Sequence, residues 1–281
     1  MKKFAVITDS CCDLTFASLQ QYDLTMFPIR VIYKEKEYLD KIEISSEEMY
    51  SRLHEEVPTT SLPDLHYCEN KVHELKEQGY TDFIIITVSS QLSGTLNALR
   101  ILSEHFPDLN FHFFDSLTLG YPQGVIAMEA GKMAQSGASL EEVLARLEDV
   151  RKRTYGYIAL DTLEYLKKGG RIGKVTATVG ELIKLKPIIS SNDDGVLYTY
   201  CKVRGKKQSF AKVKEIILSH LDKGKCSIWV LHGDALQGGT DLYEILKGHP
   251  NINHLSLEVV GPSMGVHTGP GVVGCAILEE F

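Results

Sequence analysis

The sequence predicts an α/β protein of two domains, the first built on a mostly parallel sheet and the second on a mixed sheet. Three observations carry this. Short apolar runs alternate with helix-like stretches through the first half, as strand–helix–strand units of a parallel sheet require. In the second half the alternation gives way to a hairpin signature, Asn192-Asp193-Asp194-Gly195 between two β-type runs. The chain has 281 residues, 43% of them hydrophobic, which is enough apolar material for two domains of ordinary size. The change of pattern sets the expected boundary near residues 150–156, giving domains 1–155 and 156–281.

Taken along the chain, Phe4–Thr8 reads as the first strand and Leu14–Gln21 as a helix with Asp13 at its N-cap. Met26–Tyr33 reads as a second strand, and Ser45-Ser46 open a Glu-rich helix. Phe83–Val88 and Asn110–Phe114 are strands separated by a helix after Ser93. Pro122–Gln135 and Leu140–Val150 are helical. Beyond the boundary come a strand at Gly156–Leu160, a short helix to Lys168, and the hairpin of Pro187–Ser190 with Val196–Val203. A long amphipathic helix near Ser209–His220 follows. Cys226–Leu231, Leu255–Val260 and Val272–Leu278 are strands, with a helix at Asp241–Lys247.

Bulk charge excludes some functions. The net charge of −7 argues against nucleic acid as the main partner. The charge is uneven, however. Arg151 to Lys214 carries 15 Lys+Arg and 5 Asp+Glu, so this segment is +10 and the remainder −17. It is either a solvated face or a docking surface for an acidic or phosphate-bearing partner. The six cysteines form no Cys-x-x-Cys pair, which suits neither a zinc site nor a disulfide framework. Only four apolar residues follow Lys2-Lys3 before Thr8, and no apolar run approaches the roughly 20 residues of a membrane span. A cytoplasmic protein is expected.

Several segments could carry chemistry. In Ser89-Ser90-Gln91-Leu92-Ser93-Gly94-Thr95, hydroxyls and a glycine sit where a strand turns into a helix. Unpaired N–H groups and the positive helix end favour a small anion there; the alternative is a plain N-cap. The segment is not a nucleophile elbow, because Gln91 and Thr95 stand at the glycine positions of Gly-x-Ser-x-Gly. Thr59-Thr60-Ser61-Leu62-Pro63 is a second hydroxyl cluster, expected in a loop. Gly169-Gly170-Arg171-Ile172-Gly173-Lys174 fails the count of a Walker phosphate loop and leaves Arg171 and Lys174 as cations on a turn. His267 lies in the Gly- and Pro-dense stretch Gly261–Gly271, read as a loop that gives its imidazole a defined direction. Asp9-Ser10 and Asp115-Ser116 each end a strand, and capping is favoured over metal binding.

These motifs share an order that resembles the DegV family, bacterial proteins that include the fatty-acid-binding subunits of fatty acid kinase. The likeness runs through Val6-Ile7-Thr8-Asp9-Ser10, Thr60-Ser61, Ser90–Thr95, Leu166–Arg171, Lys186-Pro187, Arg204-Gly205 and Gly265–Gly271. Leu62 and Cys11-Cys12 depart from the usual pattern. The resemblance implies a long-chain fatty acid in an apolar tunnel at the junction of the two domains. Its carboxylate would meet Ser93 with Gly94, Thr60 or Ser61, and His267. The resemblance further implies a separate ATP-dependent kinase that phosphorylates the carboxylate, with Arg171 and Arg204 facing that partner. No metal or other cofactor is implied. Two other readings remain: a hydrolase or acyltransferase using Ser93 and His267, and a regulatory binder of another lipid.

Overall fold

The computed structural model describes residues 4–173, 175 and 185–280. The chain begins β1 (Phe4–Asp9), α1 (Phe16–Gln21), β2 (Leu24–Phe27), β3 (Ile29–Ile32), β4 (Glu37–Leu39) and α2 (Ser46–Arg52). It continues β5 (Thr59–Pro63), α3 (Leu65–Glu77), β6 (Asp82–Thr87), α4 (Thr95–Ser103), β7 (Asn110–Asp115), α5 (Tyr121–Gln135) and α6 (Leu140–Lys152). The second half runs β8 (Thr154–Ala159), α7 (Glu164–Lys168), β9 (Leu185–Ser191), β10 (Leu197–Arg204) and α8 (Lys206–Leu221). It ends β11 (Lys225–Gly233), α9 (Leu236–Leu246), β12 (Ile252–Val259), α10 (Pro262–Thr268) and β13 (Val272–Glu280).

The fold is two-domain α/β. One sheet has the order β2-β1-β6-β7 and is parallel throughout. Helices cover both of its faces, so β6, with Phe83 and three isoleucines, is buried at every position. The larger sheet, β10-β9-β8-β13-β11-β12, is mixed: only β11 and β12 run parallel. The expected turn at Asn192–Gly195 closes the β9–β10 hairpin, with Gly195 at φ 80°. Helix α5 packs against β1 as well as β8 and β13, so one apolar core runs from Val6 and Ile84 through Val125 to Trp229 and Ala276.

Four local expectations are corrected. Met26–Tyr33 is not one strand. Pro28 has no N–H to donate, and the chain breaks there: β2 stays in the parallel sheet, while β3 enters a small antiparallel sheet, β4-β3-β5. The hydroxyl cluster at Thr59–Pro63 is therefore a strand of that sheet and not a loop. Asp13 does not cap α1; it sits at φ 58° after a short 3-10 turn, and Thr15 caps α1 by accepting from Ser18 N. His267 lies on the short helix α10, where Pro262 in the first turn has no N–H and so needs no acceptor.

Candidate functional site

Each candidate residue is fixed by ordinary secondary structure. The turn after β6 is pinned by carboxylates from its two neighbours. Asp9 Oδ2 accepts from Val88 N at 2.8 Å, and the Asp115 carboxylate accepts from Ser90 N at 3.2 Å. Ser89 is buried and donates to the Gly195 carbonyl at 2.7 Å, tying this turn to the β9–β10 hairpin. Ser93 Oγ then lies 2.8 Å from Thr95 Oγ1 and accepts from Thr95 N at 3.3 Å. Gly94 caps α4 without a side chain; Ser93 Oγ takes the helix's first N–H, and the positive helix end stands beside the cavity that Gly94 lines. Strand β5 brings Thr60 and Ser61 opposite; Ser61 Oγ accepts from Arg30 at 3.2 Å. Helix α10 brings His267, whose Nε2 is 2.8 Å from Thr60 Oγ1.

The N-terminus of α10 is itself held by buried acids. Asp13 Oδ1 accepts from Gly261 N at 2.9 Å, and Asp40 Oδ1 accepts from Ser263 N at 3.2 Å. Burial raises both carboxyls, Asp13 to about 7. Opposite in sign, burial and then the nearby Arg171 guanidinium lower His267 to about 4, so its imidazole is neutral at pH 7. Arg171 Nη1 donates to the Gly169 carbonyl at 2.7 Å and Nε to the Leu92 carbonyl at 3.3 Å. Among the described residues no carboxylate pairs with this guanidinium. A neutral histidine, hydroxyls, a helix N-terminus and an uncompensated cation make a site for a carboxylate or similar anion.

These groups share one cavity of about 260 Å³. Thr60, Ser61, Ser93, Gly94, His267 and Arg171 all line it. Gly94 and Leu62, at its rim, are exposed. The rest of the lining is mainly apolar: Ile29 from the small antiparallel sheet, Ile158, Ile189 and Leu197 from the mixed sheet, and Leu119 and Met264. A narrower cavity of about 40 Å³ continues past these apolar residues and leaves the polar group behind. The arrangement is polar at one end and mainly apolar beyond it, with Asp13, Thr118 and Thr268 among the lining of the second cavity. Arg204 is not part of it; it ends β10 as an exposed side chain. Lys174 lies outside the described residues. Sequence reasoning missed Arg30, Asp13 and Asp40 as supports and the whole apolar wall. Pro28, which turns β3 toward the site, was the available signal.

The geometry does not form a hydrolytic dyad. Ser93 Oγ pairs with Thr95 and His267 Nε2 with Thr60, and His267 Nδ1 is buried without a hydrogen-bond partner. A triad needs the serine on one imidazole nitrogen and an orienting acid on the other. Asp9 and Asp115 act in the hydrogen bonds above, and among the described residues no group of three His, Cys, Asp or Glu is placed to hold a metal. No helix among them is long and apolar enough to cross a membrane.

Comparison with known proteins agrees with this geometry. The model of the family described as "Uncharacterised protein, DegV family" matches residues 3–280. A DegV domain-containing protein of Clostridium perfringens is 44% identical over 281 residues, covering all of both chains. The solved structure of DegV from Bacillus subtilis, a fatty acid binding protein, superimposes with a TM-score of 0.90 at 26% identity, covering 100% of each chain. A stearic acid-binding protein from Eubacterium ventriosum gives 0.88 at 26% identity, covering 98% of each. Family match, fold and cavity point the same way: the chain belongs to the DegV family.

Proposed function

We propose that this chain binds one long-chain fatty acid and presents its carboxylate to a separate ATP-dependent kinase, which converts it to an acyl phosphate. The carrying observation is the cavity that is polar where Thr60, Ser61, Ser93, Gly94 and His267 line it and mainly apolar elsewhere, with a smaller cavity beyond it. The fatty acids bound by the Bacillus subtilis and Eubacterium ventriosum proteins support the ligand class. The two units, 1–155 and 156–281, clasp the acyl chain between them. Burial at about 0.8 kcal/mol per methylene makes the tail the main source of affinity, roughly 10 kcal/mol for an acid of about 16 carbons before the costs of binding. The head group sets orientation.

The chain is a lipid-binding subunit in this reading, and the chemistry comes from the partner. Neutral hydroxyls and a neutral imidazole hold the carboxylate by hydrogen bonds, which leaves an oxygen nucleophilic. Arg171 stands beside that oxygen, positioned to meet the charge of an incoming phosphoryl group. Arg204 extends the same basic segment as a contact for the kinase, and dependence on ATP puts the work in the cytoplasm. Arg171→Ala and Arg204→Ala should each keep bound fatty acid yet lower acyl-phosphate formation at least about tenfold with kinase and ATP. Hydroxylamine trapping reads the product. Undiminished product from both variants contradicts the assignment.

A further inference from the structure

The two cavities share part of their walls. Leu119, Ile158, Ile189, Leu197, Met264 and Thr268 line both, and they form the neck between about 260 Å³ on the head-group side and about 40 Å³ beyond. Three of the six come from neighbouring strands of the mixed sheet: Ile158 from β8, Ile189 from β9 and Leu197 from β10. The two isoleucines are β-branched and therefore stiff at χ1. Leu119 stands in the turn before α5, and Thr268 is buried at the end of α10. Met264 differs from the other five. It is unbranched, with three rotatable bonds and a polarisable thioether, the kind of side chain that fills irregular gaps and repacks.

The thioether reaches across the neck. Met264 stands on α10 three residues before His267, so one face of that helix presents the imidazole to the head group and Met264 to the chain. Met264 Cε lies 3.7 Å from the point where a Cβ on Gly120 would stand, and Gly120 lines the second cavity and not the first. Gly120 has φ 65°, a conformation that favours glycine, so no side chain meets the thioether from that side. Polar groups beyond the neck are engaged within the protein. Asp13 accepts from Gly261 N at 2.9 Å, and Ser191 Oγ donates to Thr118 Oγ1 at 3.1 Å. Pro122, Leu231 and Val260 complete a wall suited to hydrocarbon.

We propose that Met264 is the specificity-determining residue that sets which acyl-chain lengths the site accepts. This rests on the fatty-acid reading above and specifies its substrate. An acid that ends in the first cavity leaves the thioether in place. A longer acid swings Met264 aside to put its last carbons in the second cavity. Each methylene added within the first cavity gains about fourfold in affinity. Once the tail meets Met264 the gain falls, because each entering carbon replaces contacts that the thioether already made with the wall.

The test is calorimetric titration of the full chain with saturated acids of increasing length, in the wild type and in Met264→Ala and Met264→Ile. Wild-type affinity should rise about fourfold per methylene and then break to less than about twofold. Met264→Ala leaves a space that the longer tail fills, and acids about four methylenes past the break should bind at least about tenfold tighter than to the wild type. Met264→Ile fixes χ1 in the neck and should weaken the same acids at least about tenfold. Acids shorter than the break should bind both variants within about threefold of the wild type, which reports an intact head-group site. The isoleucine swap nearly conserves volume and decides the matter alone if the alanine variant does not fold. A wild-type profile without a break overturns this inference and leaves the fatty-acid reading standing, as do variant profiles parallel to the wild type. If no acid binds the wild type, the fatty-acid reading fails, and this one with it.

Discussion

His267 is the residue on which the site turns. Its pKa is about 4 in the folded protein against 6.5 for the free side chain. A depressed histidine pKa means that the unfolded chain binds more protons between those values. The stability tied to the neutral imidazole is therefore complete above about pH 6.5 and is lost as pH falls toward 4, roughly 3 kcal/mol in all. Replacing His267 with Gln should flatten the pH dependence of unfolding in that window, measured by denaturant titration at stepped pH. An unchanged slope would mean that the imidazole is not held neutral. Gly169 sets the position of the ring: a methyl group there would overlap His267 Nδ1 and Cε1. The Gly169 backbone, at φ −75°, accepts any residue. Gly169→Ala should thus lower fatty-acid affinity at least about tenfold while changing stability by less than about 1 kcal/mol. Equal affinity would show that the ring can shift without consequence.

At the scale of elements, the site exists because a turn, a strand and a helix from different parts of the chain meet. The turn after β6 is tied to the β9–β10 hairpin through Ser89 and Gly195. Gly195 has φ 80°, and a Cβ on it would overlap Ser89 Oγ and press on Leu117. Gly195→Ala should cost about 1–3 kcal/mol, read as a lower denaturation midpoint at an unchanged slope. No shift would mean that the hairpin and the turn are not coupled. The strong elements were legible in the sequence. Fully buried β6 and the capped α2 announce themselves by composition and by Ser45. What was not legible depended on tertiary context. Thr59–Pro63 has turn composition and becomes a strand only because β3 offers it a partner edge. Gly261–Gly271 looks like a loop, yet Asp13 and Asp40 supply acceptors from far away in sequence for the first turn of α10. Asp13, read as a cap for the nearby helix, serves a distant one.

For the whole molecule, the parallel and mixed sheets share a core through α5, and the cavity is lined by the mixed sheet, the small antiparallel sheet, α10 and the turn after β6. The alternation of strands and helices, the hairpin turn and the order of the motifs gave the architecture and the polar residues. The apolar wall was invisible because Ile158, Ile189 and Leu197 belong to strands whose alternation fixes a face but not what that face encloses. Arg171 lines the cavity and Arg204 does not, a difference that sequence spacing could not express. The central claim is that this enclosed space is filled by a fatty acid. Native mass spectrometry of the purified protein, followed by denaturation and identification of the released lipid, tests it most directly. The account predicts one fatty acid per chain, and loss of most of that occupancy in a Ser93→Ala/His267→Ala double variant that remains folded. A protein that is empty as purified and takes up no added fatty acid would contradict it.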